Sequence, residues 1–329
     1  MDLILEREIA RNTVASVSLL VSLGRRLPTF VDTNLGFPTQ FTRYTVVGGD
    51  LSGQVFQFPR FTVRPNSNFA RITEIRSTIK SEYEALVLQL NRRLHKRLQF
   101  QNNYTFSRAT DTGQGSQTFT TGNVPLNPFD YSLESGRTNF DIPHRFVSSV
   151  VWEPKFFGDG SDKVVRAIFN GFTISPIVQI ASGRPNSAGV SGNAPACNAA
   201  NNFCAGQSLA AAVSTGILGA GGDNRIFERN SFRFPKTVNV DLRVSRRFRF
   251  TETTDLEILG EAFNLFNRVN VTNRGTRLYS ISTASATVGP TLPLGTPILV
   301  FDPTFTVPNE AGNTVFRERQ IQFAARFNF

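Results

Sequence analysis

The stretch Arg317 to Phe329, RERQIQFAARFNF, alternates apolar and polar residues and ends on phenylalanine. Ile321, Phe323, Ala325, Phe327 and Phe329 fall on one face of an extended chain, and Gln320, Gln322, Ala324, Arg326 and Asn328 on the other. Period-2 alternation of this kind specifies a β-strand with one apolar face, either a half-buried edge strand or a strand with one side against lipid.

Composition narrows the choice. The 329 residues include 31 Phe and a single Met, and aromatic side chains favour strands and the interfacial belts of membrane barrels. The longest uninterrupted apolar run is Leu209 to Val213, too short for a membrane-spanning helix. A membrane protein of this composition must therefore cross as tilted strands, which pair their backbone groups with one another. Met1 leads directly into Asp2 and Glu6, so no secretory signal peptide is expected at this start.

The same alternation recurs. In 98–107, Leu98, Phe100, Tyr104 and Phe106 oppose Gln99, Gln101, Asn103, Thr105 and Ser107. In 238–250, Val238, Val240, Leu242, Val244, Phe248 and Phe250 oppose Asn239, Asp241, Arg243, Ser245, Arg247 and Arg249. With further segments at 3–9, 13–22, 83–92, 144–152, 170–181, 254–266 and 316–329, the reading is nine strands, with an extra one near 71–81. Short links near 10–12, 93–96, 154–163 and 251–253 alternate with long polar ones near 23–70 or 23–82, 108–143, 182–235 and 267–315. Short periplasmic turns and long, unstructured extracellular loops are the pattern of an outer-membrane barrel. The expected fold is all-β, an antiparallel transmembrane barrel segment.

Net charge of +10 fits anionic lipid, a polar lumen or nucleic acid. The densest basic run, Arg92 to Arg97, separates two alternating segments and reads as a turn; no recognition helix accompanies it, and no nucleic-acid partner is expected. Neither His95 nor His144 lies in a metal-binding or nucleophile-activating spacing, and no G-x-S-x-G, H-E-x-x-H or Walker loop occurs. Gly216 to Gly222 lacks the lysine of a phosphate loop, and Gly158 to Asp162 lacks the further carboxylate of a calcium loop. Neither enzyme activity, nor a cofactor, nor a metal is expected. Cys197 and Cys204 share a long loop and are read as an external disulfide, with free thiols as the alternative. A three-residue link between 238–250 and 254–266 sets Arg247 beside Glu257 and Arg243 beside Glu261. Arg243, Arg247, Arg249, Glu257 and Glu261 thus form a lumen-facing charge ladder, serving either contact with a plug or permeant or charge pairing within a polar wall.

Eight phrases in order carry a family resemblance: Leu5-Glu6-Arg7-Glu8-Ile9, Gly24-Arg25-Arg26-Leu27-Pro28, Ser81-Glu82-Tyr83-Glu84-Ala85-Leu86, Tyr104-Thr105-Phe106-Ser107, Asp141-Ile142-Pro143-His144-Arg145-Phe146, Ser182-Gly183-Arg184-Pro185, Glu261-Ala262-Phe263-Asn264-Leu265-Phe266-Asn267 and the final Arg319 to Phe329. Together they resemble the C-terminal barrel of Oar-like TonB-dependent transporters. The resemblance implies a barrel of about twenty-two strands around an N-terminal plug that engages TonB. It implies that residues 1–329 are the C-terminal portion of such a barrel, without plug or signal peptide. The implied activity is uptake of a bulky substrate; a structural or adhesive surface barrel is the alternative. Implied partners are outer-membrane lipid, lipopolysaccharide and the barrel-assembly machinery, with TonB reached only through the plug. The row Phe323, Ala325, Phe327 and Phe329 resembles the C-terminal signal that this machinery reads.

Overall fold

The computed structural model describes residues 1–37, 40–60, 63–69, 72–95, 97–113, 129–191, 227–311 and 318–329. In chain order the strands are β1 (Asp2–Ala10), β2 (Thr13–Asp32), β3 (Gln40–Val47), β4 (Val55–Arg60), β5 (Thr73–His95), β6 (Leu98–Asp111) and β7 (Gly136–Arg137). β8 (His144–Trp152), the helix α1 (Lys163–Phe169), β9 (Phe172–Ala181), β10 (Pro185–Asn186), β11 (Gly189–Ser191), β12 (Phe232–Arg233) and β13 (Thr237–Arg249) follow. The chain ends with β14 (Asp255–Phe263), β15 (Val271–Arg274), β16 (Arg277–Thr283), β17 (Pro297–Phe301), β18 (Pro308–Ala311) and β19 (Gln320–Asn328).

The largest sheet runs β1-β2-β5-β6-β8-β9-β13-β14-β19, with β7 added beside β6. Every neighbouring pair on that path is antiparallel. These nine strands coincide with the nine read from alternation. Among the described residues the strand expected near 71–81 is not separate: 73–81 begin β5, which runs for 23 residues and pairs with β2. The periodicity weakens there because Glu74, Arg76, Lys80 and Glu82 lie beyond the apolar stretch of the strand. A register shift between Gly24 and Leu27, with Arg26 at φ 56°, marks a bulge in β2 at the Gly24-to-Pro28 phrase.

Polarity across this wall is the inverse of a water-soluble sheet. On β2, Val17 and Leu19 are 43% and 49% exposed, whereas Ser16 and Ser18 on the opposite face are 6% and 8% exposed. Phe323 is 82% exposed, and Ser245 and Glu257 are buried on the other face of their strands. The outer face carries Val17, Leu19, Leu86, Leu88, Phe100, Phe146, Val178, Val240, Leu242 and Val244, brought side by side by register. The inner face carries Ser16, Gln89, Asn103, Gln179, Asn239, Arg243 and Glu261. Small polar groups crowd on the inside of a curved wall, and large apolar groups splay outward. Only a hydrocarbon surround makes that arrangement favourable.

At one end the strands join through tight turns. Asn12 at φ 58° turns β1 into β2, and Arg97 at φ 67° turns β5 into β6, the site of the basic run. The β13–β14 turn is closed by the Thr251 hydroxyl, which accepts from the Thr254 amide at 2.9 Å. The β8–β9 link, expected as a plain turn, contains α1. At the opposite end the long connections are not unstructured. Strands from three of them form a five-stranded mixed sheet, β11-β16-β17-β3-β4, with parallel pairing of β11 to β16 and of β17 to β3. Tyr44, Val46, Phe56, Val190, Tyr279 and Leu299 pack into its buried core. Above the wall, apolar residues point inward again, which identifies this cap as water-exposed.

The strand directions alternate along the path, so β1 and β19, at its two ends, run the same way.

Leu242→Arg is expected to lower the stability of the closed, lipid-inserted barrel by about 2–4 kcal/mol, the cost of a guanidinium facing hydrocarbon near the midplane. Gln179→Arg, on the inner face, is expected to cost far less. Urea unfolding from vesicles measures both, and equal losses would reject the face assignment.

Candidate functional site: lumen ladder, loop-end latch and lipid belt

The ladder on the inner face is built by the β13–β14 register, which sets Arg243 opposite Glu261, Ser245 opposite Leu259 and Arg247 opposite Glu257. The ion pairs zigzag: Arg243 reaches Glu261 at 3.8 Å and Glu257 at 3.6 Å, and Arg247 reaches Glu257 at 4.0 Å and Asp255 at 3.6 Å. Arg249 lies opposite Asp255 in register, but the ion pair to Asp255 comes from Arg247. Asp255, absent from the expected set, is therefore the last carboxylate of the ladder. The row continues onto β19, where Gln322 donates to Glu261 and Asn328 donates to Asp255 at 2.8 Å. Two arginines shared among three carboxylates can exchange partners without leaving a charge alone. Each pair is worth little, because the arginine side chains remain 40–50% exposed.

The loop end is tied by a second polar cluster. Asp141 takes the Ala109 amide at 2.8 Å, the Arg137 guanidinium at 3.1 Å and the Arg233 guanidinium, which also donates to the Asp141 carbonyl at 3.0 Å and the Gly183 carbonyl at 3.2 Å. A side chain at Gly183 would collide with the Phe234 carbonyl, so the two backbones can approach this closely only at a glycine. The Asp141 and Gly183 phrases thus meet in space. Beside them Arg229, 1% exposed, pairs with Asp111 and donates Nε to the Glu134 carbonyl at 2.9 Å. Asn230 donates to the Arg137 carbonyl at 2.7 Å and to Asn139 at 2.8 Å. This latch joins 108–143 to 182–236 over the wall. Sequence reading missed Arg229, Asn230 and Arg233, since their partners lie about ninety residues away in the chain, and only Asp141 and Gly183 carried a signal.

The Asn264-to-Asn267 phrase forms the turn leaving β14. Asn264 and Asn267 have φ of 49° and 50°, and the Asn264 amide donates to Asp241 on the inner face of β13 at 2.8 Å. In the cap, Asp302 accepts from the Thr304 hydroxyl at 2.6 Å and the Thr304 amide at 2.9 Å, and pairs with Arg277. These donors, the Thr304 hydroxyl first, hold its carboxyl at about 2, against an ordinary 3.8.

The outer face carries aromatic groups at both heights. Near the loop end, His144 Nδ1 lies 2.8 Å from the Tyr104 hydroxyl, and the imidazole packs on Phe106 at 5.1 Å. Near the turn end Trp152 meets Phe156 edge-on at 6.2 Å. Phe323, Ala325 and Phe327 line the outer row of β19, with Phe327 and Phe329 stacked at 6.2 Å. Phe323 lies across Gly260 on β14, its ring 3.2 Å from where a Cβ would stand, and covers the gap left by the glycine. Cys197 and Cys204 lie outside the described residues. Among the described residues no group of three or more His, Cys, Asp or Glu could hold a metal ion.

An apolar exterior, a charged interior, aromatic groups at both heights and an unbroken antiparallel path define a transmembrane β-barrel wall. The chain matches the family model described as outer membrane beta barrel domain over residues 1–296, and it belongs to that family. It is therefore an outer-membrane protein. Among solved structures it is similar to the outer membrane transporter YddB from Escherichia coli, at 10% sequence identity and a TM-score of 0.41, covering 83% of this chain and 29% of that one. The chain thus spans less than a third of that transporter's length. No curated protein matches it.

Glu257 is the carboxylate shared by both ladder arginines. A double-mutant cycle of Arg243→Ala and Glu257→Ala, read by urea unfolding, is expected to give a coupling of about 0.2–1 kcal/mol that shrinks with added salt. A coupling of zero at low salt would remove the ladder as an energetic unit.

The Asp302 carboxyl titrates lower in the fold than free, so its stabilisation is complete above its ordinary 3.8 and is lost as pH falls towards about 2. Protease resistance of the cap is expected to hold at pH 5 and decline over that window, with Asp302→Asn removing this component of the decline.

Proposed function

We propose that the chain is the C-terminal part of a wide outer-membrane transporter barrel of the TonB-dependent, Oar-like kind, with its tight turns in the periplasm and its cap outside the cell. The observation that carries the reading is the parity of the wall. With β1 and β19 running the same way, an antiparallel seam between them is impossible. Single-chain bacterial barrels close with an even number of antiparallel strands, and open edges are not tolerated in lipid. Parity among the described strands supports further strands between β19 and β1, as in a barrel wide enough to hold a plug. The charge ladder then faces that plug or the permeant, and the eight sequence phrases support the Oar-like assignment. Substrate uptake, rather than catalysis, is the role this wall supports. The barrel-assembly machinery, lipid and lipopolysaccharide are its proposed contacts, with TonB acting through the plug.

The folded cap favours a second reading, a surface barrel that binds partners through its external sheet. The two readings part at energy coupling. Uptake through the complete barrel is lost when TonB is deleted, whereas adhesion is not.

Expressed with an added signal peptide, residues 1–329 alone are expected to give no heat-modifiable monomer on gels. Co-expression with the upstream strands is expected to restore one. A closed, heat-modifiable barrel from residues 1–329 alone would overturn the wide-barrel reading.

A further inference from the structure

Arg246 breaks the outer row of β13. It sits between Val244 and Phe248, on the face that carries Leu242 and Val240, where a charge should not be. Its guanidinium lies 5.0 Å from the centroid of Phe172 and 4.6 Å from that of Phe248, and Nη1 donates to the Ile168 carbonyl at 2.9 Å. Phe172 is its register partner on β9 and shares that outer face. Since Ile168 belongs to the last turn of α1, this bond holds the helix on the apolar side of the wall rather than beneath the lumen.

The rest of the β8–β9 connection is shaped to the same place. Asp162 caps the helix, accepting from the Val164 amide at 2.7 Å. The Asn170 side chain clasps Phe157, donating to its carbonyl at 2.8 Å and accepting from its amide at 3.1 Å, so the loop returns on itself. Lys155 and Arg166 gather around Asp159 at 2.7 and 3.6 Å. Val164 and Ile168, one helical turn apart, are 64% and 51% exposed, as are Phe156 at 55% and Phe169 at 49%. Phe156 packs on Trp152, the last residue of the outer row of β8, so this apolar surface is continuous with the lipid-facing wall.

We propose that α1 and its flanking turn form an interfacial foot that lies in the phospholipid leaflet at the turn end of the wall. Val164, Ile168, Phe169 and Phe156 enter the upper acyl region, and Arg246 and Lys163 face the lipid phosphates. The occupant is phospholipid because the exposed apolar row continues a surface already in hydrocarbon and is bordered by cations. Arg246 keeps its stem against two rings and its head at the interface, the usual placement of a long cation beside lipid. The short helix lies in the membrane plane, as amphipathic interfacial helices do. The foot fixes the depth and rotation of the β8–β9 hairpin.

The inference rests on the membrane-wall reading, and the test separates the two. In the complete barrel, with this chain carrying Cys197→Ser and Cys204→Ser and co-expressed with the upstream strands, an environment-sensitive dye is attached through Val164→Cys, Ile168→Cys, Leu242→Cys or Gly158→Cys, and the protein is placed in phospholipid vesicles. Lipids brominated near the top of the acyl chain are expected to quench the dyes at positions 164 and 168 most strongly. Lipids brominated deeper should favour position 242, and position 158 should stay in water with red emission. Quenching at 242 with 164 and 168 behaving like 158 would overturn the foot alone. No quenching at 242 would overturn the wall reading and the foot with it.

Discussion

A peptide group in hydrocarbon has no water to turn to, and that single requirement organises the chain. Every wall strand must find its hydrogen bonds in a neighbour, so the path from β1 to β19 is continuous and antiparallel, with register held over long runs such as the β9–β13 pair. Once the backbone is satisfied in this way, side chains are free to invert the usual polarity. Apolar residues gain by facing out, and polar ones by facing each other.

The inner face exploits that inversion. Arginines and carboxylates can be placed on strands that cross lipid because the sheet itself screens them from it, and β13, β14 and β19 use this freedom in one linked row. At the loop end the chemistry changes. Arg229 and Asp141 are held by buried bonds to backbone carbonyls and amides that fix loop positions rather than tune a lumen. The boundary between these regimes runs near Glu84 and Arg108, which face each other in register on the outer face just above the apolar belt.

Much of the wall was legible in the sequence because a period of two survives translation into structure without knowledge of partners. The register of Arg243 with Glu261 and of Arg247 with Glu257 came from one three-residue link, since a tight hairpin leaves little choice of pairing. The illegible parts had non-local causes. The cap strands are short, and their neighbours come from other loops, so residues such as Leu299 and Tyr44 gave no local sign of a shared core. The continuation of β5 back to Thr73 was hidden because alternation fades where both faces meet water. Arg246 was passed over in the apolar row of 238–250, and its bond to Ile168 depends on a helix that turn-like glycines and aspartates had obscured.

The cap has a consequence for assembly order. Its parallel seams join residues as distant as Thr45 and Ile298, or Gly189 and Arg277, carried on loops separated by several membrane crossings. None of these seams can close until the last of the three loops is in place. Folding of the cap sheet is therefore a late, whole-chain event. Its slow, non-local closure reports that the crossings beneath it are in place, and a lengthened loop in one hairpin would be felt in the other two.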